Sequence, residues 1–267
     1  MEKDKRRSEM ITAVSNSRVK RLVQLNQKAK ARREEDVFVV EGVKMFLEAP
    51  KEKLREVYVS ESFLEKCSCR EQLEKTGYEV VSDQVFAKIS DTCTPQGILC
   101  IVEQFHYDIE QMLRKENPVF LLLENIQDPG NLGTMLRTGE GAGISGVIMS
   151  RDTVDLYNPK VIRSTMGSIY RMPFLYAEDF EGAIKKVQRA GVSVYAAHLK
   201  GKTSYIRQDY RKSTAFLIGN EGNGLKEETA ELADVYIRIP MEGQVESLNA
   251  AVAASVLMYE AHRQRED

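Results

Sequence analysis

The feature that most constrains the fold is a run of five apolar residues, Val119–Leu123, that is followed by further apolar segments separated by helical patterns. A strand that is apolar at every position is typical of a parallel sheet buried on both faces. The later segments are Gly146–Met149, Val192–Ala197, Thr214–Ile218 and Val235–Ile239, with helices predicted over Asp179–Ala190 and Leu248–Arg263. This alternation predicts an α/β domain with a mostly parallel sheet, helices on both sides, and a ligand site at the carboxyl ends of the strands.

A second, smaller α/β domain is predicted ahead of it. The apolar pattern indicates one helix over Ser17–Arg33 with a basic outer face, and four strands and two shorter helices after it. The strands are Val37–Val40, Glu56–Ser60, Tyr78–Val81 and Gly97–Val102, and the shorter helices are Gly42–Ala49 and Glu61–Lys75. Apolar density falls after Glu103, so we predict domains at 11–104 and 118–267 with a linker at 105–117. A surface helix inside one continuous domain is the alternative for that segment.

Charge is distributed unevenly along the chain, although the formal net charge is only −2. The first 33 residues hold eleven lysines and arginines against three acidic residues. Such an excess is suited to neutralising the phosphates of a nucleic acid. The alternative interpretation is a solvated helix face behind a disordered tail, with residues 1–10 as a basic flexible tail in either case.

Several classes of protein are disfavoured by composition. No apolar run approaches the roughly 18 residues of a membrane span, and the charged start predicts no secretory signal, so we expect a cytoplasmic location. Four cysteines are too few and too irregularly spaced for a disulfide framework, and Cys67-Ser-Cys69 lacks the usual zinc-site spacing. We therefore expect reduced thiols and no metal. Neither Gly139–Gly143 nor Gly219–Gly224 fits the phosphate-loop or dinucleotide fingerprint.

Three segments at predicted strand ends combine glycines with polar side chains. The first, Glu124–Arg137, contains a turn at Asp128–Gly130, and Asn131 stands where a helix N-cap is expected. Thr134 and Arg137 then share the outer face of the helix. The residues predicted to face the sheet are Leu132, Met135, Leu136 and Gly139. A capped helix with an exposed arginine is the alternative interpretation of this segment.

The other two segments follow later strands. In Ile218–Leu225, three glycines allow a tight turn that brings backbone groups against a ligand. Ile239–Asn249 is a loop that leads into the last helix, with Ser247 as the expected N-cap. The predicted buried stripe of that helix comprises Leu248, Ala251, Val252, Ser255, Val256 and Tyr259.

Taken together, these segments resemble the three motifs of the SpoU (TrmH-like) branch of the SPOUT RNA methyltransferases. They read Asn125-x-x-Asp-Pro-x-Asn-x-Gly-x-x-x-Arg137, Gly219-Asn-Glu-Gly222, and Ile239-Pro-Met followed by Ser247-Leu-Asn249, in this order over the last 150 residues. The resemblance implies an α/β knot, in which the C-terminal helix is threaded through a loop to form a trefoil. The first hundred residues resemble, more loosely, the L30-like substrate-binding module through Ser15–Lys20, Arg32-Arg33 and Val37–Gly42.

The resemblance implies a homodimer that methylates an RNA ribose 2′-hydroxyl with S-adenosylmethionine and without a metal, ribosomal RNA of the 23S type being favoured. A tRNA ribose methyltransferase, or a non-catalytic RNA-binding factor with the same fold, is the alternative. The implied cofactor-binding residues are Gly219, Ile239 and Leu248, with Ile218, Asn220, Met241 and Ser247 as neighbours. The candidate RNA-binding residues are Arg18, Lys20, Arg21, Arg32, Arg33, Arg163 and Ser164.

Four residues are the implied catalytic group. In the family the arginine at the position of Arg137 is proposed to take or organise the hydroxyl proton. Since arginine stays protonated in proteins, we expect Arg137 to orient the substrate and stabilise the developing alkoxide. Asn131 and Asn249 are expected to position the ribose and its phosphate. Glu221 is expected to hold Arg137 or Asn131, or to receive the proton through water, and a surface salt bridge is its alternative interpretation.

Overall fold

The computed structural model describes residues 10–266, so the predicted tail at residues 1–10 lies outside the described residues except for Met10. The chain forms two compact units. The first ends at Phe105 and also includes Tyr157–Arg163, and the second comprises His106–Leu156 and the residues from Ser164 onward. Within residues 10–266, none of the helices combines the length and apolar character of a transmembrane span.

The first unit is built on a four-stranded sheet in the order β1-β4-β2-β3. Its strands are β1 (Val37–Glu41), β2 (Leu54–Ser60), β3 (Glu79–Val81) and β4 (Ile98–Glu103). Neighbours are antiparallel except for the parallel pair β2 and β3. Its helices are α1 (Ser17–Gln27), α2 (Ala29–Glu35), α3 (Val43–Glu48), α4 (Glu61–Lys66), α5 (Arg70–Thr76) and α6 (Asp83–Ile89). Leu22 and Leu25 of α1 pack with Phe86 and Ile89 of α6 in the core.

Two predicted helices of this unit are each divided in the structure. The predicted helix at Ser17–Arg33 becomes α1 and α2, because Lys28 adopts an extended conformation with φ −119° and ψ 112°. The guanidinium of Arg32 turns inward and donates to the carbonyl oxygens of Leu25 (2.6 Å) and Asn26 (3.0 Å). These carbonyls belong to the last turn of α1 and have no partner within the helix, so Arg32 satisfies them. The predicted helix at Glu61–Lys75 likewise becomes α4 and α5.

The second unit contains a seven-stranded sheet in the order β7-β6-β5-β10-β8-β11-β9. Its strands are β5 (Val119–Leu123), β6 (Gly146–Ser150), β7 (Phe174–Ala177), β8 (Ser193–Ala197), β9 (Thr203–Ser204), β10 (Thr214–Ile218) and β11 (Val235–Arg238). Each pair of neighbouring strands is parallel. In β5, Leu122 pairs with Ile148 on one side and Leu217 on the other. The all-apolar sequence of β5 thus lies in the centre of a parallel sheet, as predicted.

The order of the strands reverses between β5 and β10. From β5 the chain runs outward to β6 and β7, whereas β8 to β11 lie on the other side of β5. In open parallel sheets a crevice forms at the carboxyl ends of the strands where the order reverses, and ligands bind there. Two of the three polar segments follow β5 and β10 directly, so the topology brings them to this crevice.

Helices cover both faces of this sheet, as predicted. They are α7 (Ile109–Leu113), α8 (Pro129–Gly141), α10 (Phe180–Arg189), α11 (Glu227–Ala230) and α12 (Ala250–Glu266). The helix α9 (Pro159–Thr165) begins within the segment Tyr157–Arg163 of the first unit. Ile184 and Val187 of α10 pack in one core cluster with Phe120 and Leu122 of β5, and α12 packs against α8 and β10. Short 3₁₀ helices follow α9 and β9. The helix α7 falls within the predicted linker, and its Met112 packs in the same core cluster as α10.

The predicted buried stripe of the last helix is largely wrong. Its buried residues are Ala251, Ala254, Leu257, Met258 and Ala261. Of the predicted stripe only Ala251 is buried, while Val252 and Tyr259 are 48% and 49% exposed. The helix carries apolar side chains around most of its circumference, so spacing alone does not single out the face that packs against α8 and β10.

Candidate active site

A cavity of about 320 Å³ opens at the carboxyl ends of the adjacent strands β10, β8 and β11. The loops that follow β10 and β11 supply most of its walls. All seven residues implied for the cofactor line it, namely Ile218, Gly219, Asn220, Ile239, Met241, Ser247 and Leu248. Sequence segments separated by as many as thirty residues are therefore brought to one pocket by the parallel sheet.

The loop after β10 is folded tightly on itself. The backbone N–H of Asn220 donates to the carbonyl of Gly224, and the N–H of Gly224 donates back, both at 2.9 Å. The side-chain oxygen of Asn220 accepts from the N–H groups of Gly222 and Asn223, each at 3.0 Å. A Cβ at Gly219 would lie 2.2 Å from the carbonyl carbon of Gly224. Only glycine therefore fits position 219 without moving the backbone of the facing residue.

Glu221 joins this loop to the loop after β5. One carboxylate oxygen accepts from the N–H of Asp128 and from Nδ2 of Asn131, both at 3.0 Å. The other accepts from the N–H of Gln127 at 3.0 Å. Partial desolvation raises the pKa of Glu221, but the hydrogen bonds from Asn131 and from the two backbone N–H groups outweigh it and hold the pKa below its ordinary value. Glu221 is therefore an ionised acceptor with both oxygens occupied.

Asn131 links Glu221 to the third polar segment, the loop Ile239–Asn249. Nδ2 of Asn249 donates to Oδ1 of Asn131 at 3.0 Å, and Oδ1 of Asn249 accepts from the N–H of Ala251 at 2.9 Å. The polar network of Glu221, Asn131 and Asn249 thus joins the three polar segments. Since each amide uses its oxygen and its nitrogen, the network also fixes the orientation of both side chains.

Two expected helix caps are wrong, because each helix begins at a different position from the one expected. Asp128, and not Asn131, caps α8, because its Oδ1 accepts from the N–H of Asn131 at 2.8 Å. Asn249, and not Ser247, caps α12. In each case the capping residue lies at the start of the helix, and the side chain of Asn131 is left available for Glu221 and Asn249.

Arg137 lies on the outer face of α8, with Thr134 one turn earlier. Leu132, Met135 and Leu136 of the same helix are fully buried, which confirms the predicted division of its faces. The guanidinium of Arg137 is exposed and forms no hydrogen bond or ion pair with any residue in the range 10–266. Glu221 was expected to contact Arg137 or Asn131. Among residues 10–266 it contacts Asn131 and not Arg137.

His198 is a cavity residue that the three polar segments of the sequence do not include. It follows β8 directly and lines the cavity. Its ring stacks on Tyr236 with centroids 5.1 Å apart, and Nδ1 accepts from the N–H of Lys200 at 3.0 Å. Burial and the nearby Lys200 charge lower the pKa of His198. The signal that could have found His198 is its position after the carboxyl end of an apolar strand.

The candidate RNA-binding residues fall into distinct groups. Arg32 is only 3% exposed, so its assignment to a phosphate-binding surface is wrong: its guanidinium serves the end of α1. Three arginines pair with carboxylates: Arg18 with Glu79 (2.7 Å), Arg21 with Glu35 (2.6 Å) and Glu56 (2.5 Å), and Arg163 with Asp91 (2.5 Å). Ser164 is half-buried in α9. Lys20 and Arg33 are exposed and form no ion pair with the residues described.

Comparison with known proteins agrees with this geometry. The sequence profile of the SpoU rRNA methylase family matches residues 118–259, and that of the MRM3-like substrate-binding domain matches residues 16–100. The first match covers more than half of the chain and contains the three loops. The protein belongs to the SpoU rRNA methylase family.

Relatives extend the similarity to both units. The chain is 32% identical to the 23S rRNA (guanosine(2553)-2′-O)-methyltransferase RlmP of Bacillus subtilis, over 93% of this chain and 97% of that protein. The AdoMet-bound rRNA methyltransferase of Sinorhizobium meliloti superimposes with a TM-score of 0.84 at 32% identity, covering 96% of this chain and 97% of that one. The SpoU methyltransferase AviRb of Streptomyces viridochromogenes, in complex with AdoMet, gives 0.85 at 26% identity, covering 94% and 99%.

Proposed function

We propose that the protein transfers the methyl group of S-adenosylmethionine to a ribose 2′-hydroxyl of ribosomal RNA of the 23S type. The observation that carries this proposal is the cavity at β8, β10 and β11, flanked by the polar network of Glu221, Asn131 and Asn249. The family membership and two similar structures that hold AdoMet support the choice of donor. The name of the relative from B. subtilis supports the choice of RNA and of the 2′-oxygen.

The cavity fits such a donor by size and by chemistry. Its volume of about 320 Å³ lies in the range of about 300–1,000 Å³ that is usual for small-molecule sites. Ile218, Ile239 and Leu248 offer apolar contact for an adenine ring, and the backbone at Gly219 can approach it closely. When bound, the sulfonium supplies an electrophilic methyl group and leaves as a neutral thioether. The residues of this chain therefore have to orient the acceptor oxygen and disperse its charge.

Arg137 is the proposed catalytic residue. Its guanidinium is exposed, so this cation can stabilise the alkoxide that develops on the ribose and bind the adjacent phosphate with two hydrogen bonds. Glu221 is proposed as a positioning residue for Asn131, because its hydrogen bonds already occupy both carboxylate oxygens. Asn131 and Asn249 are proposed to place the ribose and its phosphate, with Asn249 anchored by its cap of α12.

The basic surface of the first unit is the proposed RNA-binding surface. Lys20, Lys28 and Arg33 are exposed and unpaired among the residues described, and they lie on α1, between α1 and α2, and on α2. The match to a substrate-binding domain over residues 16–100 supports this assignment. Arg18, Arg21 and Arg163 are proposed as secondary contacts, since RNA must compete there with a carboxylate.

We further propose a homodimer, in which a second copy covers the exposed apolar face of α12. Val252 and Tyr259 lie about half exposed, seven residues apart on that face, a spacing that places them one above the other on the helix. We also propose that α12 is threaded into a trefoil knot and that the domain limits lie at 104 and 118. The proposed location is the cytoplasm, where ribosomal RNA is methylated.

The experiment for the proposed activity is incubation of the full chain with radiolabelled donor and total RNA, followed by mapping of the labelled ribose. We expect label at one 2′-oxygen of the large-subunit ribosomal RNA. Label in tRNA alone would change the substrate. No label, despite donor binding in calorimetry, would favour a non-catalytic RNA-binding factor.

A further inference from the structure

Two sulfur atoms meet in the turn between α4 and α5 of the first unit. Sγ of Cys67 lies 3.1 Å from Sγ of Cys69, and the backbone N–H of Cys69 donates to Sγ of Cys67 at 3.2 Å. Cys69 is buried, whereas Cys67 is partly exposed. The proposed methyl transfer makes no use of either thiol, so the contact between them has no role in that reaction.

The two thiols are chemically different. Burial raises the pKa of Cys69 to about 11, and its hydrogen bond with Cys67 acts in the same direction. Cys69 therefore tends to keep its proton, and in its contact with Cys67 either sulfur can be the donor. Because Cys67 is the more exposed of the two, an oxidant from solvent reaches it first. Redox-sensitive cysteines are accessible to solvent and often lie next to a second thiol that can resolve them.

The other two cysteines lack this combination. Cys100, in β4, is 1% exposed, and burial raises its pKa, so an oxidant in solvent does not reach it. Cys93 is exposed to solvent. The pair in the turn is distinguished by one accessible sulfur with a second sulfur already in contact.

We propose that Cys67 and Cys69 form a reversible intrachain disulfide when the protein meets a peroxide. The sulfur of Cys67 attacks the O–O bond and is oxidised to a sulfenic acid, while the other peroxide oxygen leaves as water. The sulfur of Cys69 then attacks that of Cys67: the S–S bond forms, the S–O bond breaks, and the hydroxyl leaves as water with the proton of Cys69. Hydrogen peroxide is thus reduced to two waters while each thiol loses one hydrogen, and a dithiol reductant reverses the reaction.

The required movement is small. A disulfide needs an S–S distance of about 2.05 Å, so the two sulfurs must approach by about 1 Å from their present separation of 3.1 Å. Both lie in a turn between two short helices and not in a strand, so rotation of the side chains and adjustment of the turn can supply this movement. Contact between the reacting groups also favours the second step over reaction with another peroxide.

The test uses the full chain carrying Cys93→Ser, which removes the competing exposed thiol and leaves three cysteines. After a small excess of hydrogen peroxide, the protein is denatured and alkylated with N-ethylmaleimide. We expect the number of alkylated cysteines to fall from three to one, namely Cys100. The tryptic peptide between Lys66 and Arg70 should be lighter by two hydrogens, and dithiothreitol should restore all three. Three alkylated cysteines after peroxide, or a bond between two chains, would overturn the proposal.

A second arm tests the role of Cys69 as the resolving thiol. In Cys69→Ser, and in Cys69→Ala in case the buried hydroxyl disturbs folding, Cys67 should stop at the sulfenic acid and be captured by dimedone. The parent with Cys69 intact should give little of this adduct. Equal capture in both proteins would show that Cys69 does not resolve the sulfenic acid, and it would overturn the proposal without relying on either variant to be fully stable.

Discussion

The two units of this protein use their charged side chains in opposite ways. At the carboxyl edge of the large sheet, the carboxylate of Glu221 accepts hydrogen bonds from N–H donors. The guanidinium of Arg137 has no hydrogen-bond or ion-pair partner among residues 10–266. On α1 and α2 most of the arginines are occupied, Arg18 and Arg21 by carboxylates and Arg32 by carbonyls. A count of charges along the sequence therefore overstates the cations that have no protein partner in the first unit, whereas in the second unit Arg137 is exposed and has no such partner in the described part of the chain.

The largest effect on activity should come from replacing Arg137, the cation without a protein partner among the described residues. Arg137→Ala should lower kcat by about 100- to 1,000-fold, as is usual when a donor to a developing oxyanion is removed, and leave donor affinity in calorimetry unchanged. Thr134→Ala, on the same exposed face of α8, is the matched control and should retain near-normal turnover. Turnover within a few-fold of wild type in Arg137→Ala would remove Arg137 from the mechanism.

Replacing Glu221 should lower activity by a smaller factor. Glu221→Gln should lower kcat by about 10- to 100-fold, because a misplaced Asn131 no longer orients the acceptor, and Glu221→Ala should be worse. Steady-state kinetics with both variants checks this order. Equal activity in Glu221→Gln and wild type would show that the charge of Glu221 does not fix the loop.

The pH dependence of stability gives a second readout for Glu221. Its folded-state pKa lies below the ordinary value of 4.5, so the stabilisation that it contributes is present above 4.5 and is lost as pH falls through the lower folded value. Urea unfolding of wild type and Glu221→Gln should therefore differ most above pH 4.5 and converge in stronger acid. A difference that grows with acidity would contradict the direction of the shift.

On the basic surface, reversing the charge of unpaired lysines and arginines should weaken RNA binding more than reversing the charge of paired ones. Lys20→Glu with Arg33→Glu should weaken RNA binding and reduce the slope of log K against log salt by about 2, one for each lost phosphate contact. The matched control is Lys44→Glu with Lys75→Glu, whose parent lysines pair with Glu48 and Glu71. Similar slopes for the two double variants would mean that α1 and α2 do not contact phosphate.

The smallest effect is expected at the cavity wall. His198→Ala should raise KM for the donor several-fold with little change in kcat, because it removes a wall of the cavity and no reacting group. Lys200→Ala keeps the backbone N–H that His198 accepts and serves as the control. Since the pKa of His198 is lowered, its ring is neutral at pH 7. Protonation in acid would remove that acceptor, so KM in wild type should rise toward low pH.

Much of the fold and of the cavity was predictable from local sequence. Continuous apolar strands such as Val119–Leu123 identify a parallel sheet, and its geometry brings the residues after each strand to one edge. For that reason Gly219 and Ile239, which belong to the loops after β10 and β11, were expected near each other, and both line the cavity.

Contacts between distant segments were not predictable in the same way. The hydrogen bond between Glu221 and Asn131 spans 90 residues, and no spacing rule chooses Asn131 over Arg137 as its partner. The burial of Arg32 has the same cause, because a long side chain can turn inward or outward from one helix position. The buried face of α12 was misassigned because the helix is apolar around most of its circumference.

A crystal structure of the protein with S-adenosylhomocysteine would test the proposed site most directly. The product should occupy the cavity against Gly219, Ile239 and Leu248, with its sulfur directed toward the polar network and α12 threaded through a loop. Product bound elsewhere on the chain, or loops that separate instead of enclosing it, would contradict the assignment of these loops to methyl transfer.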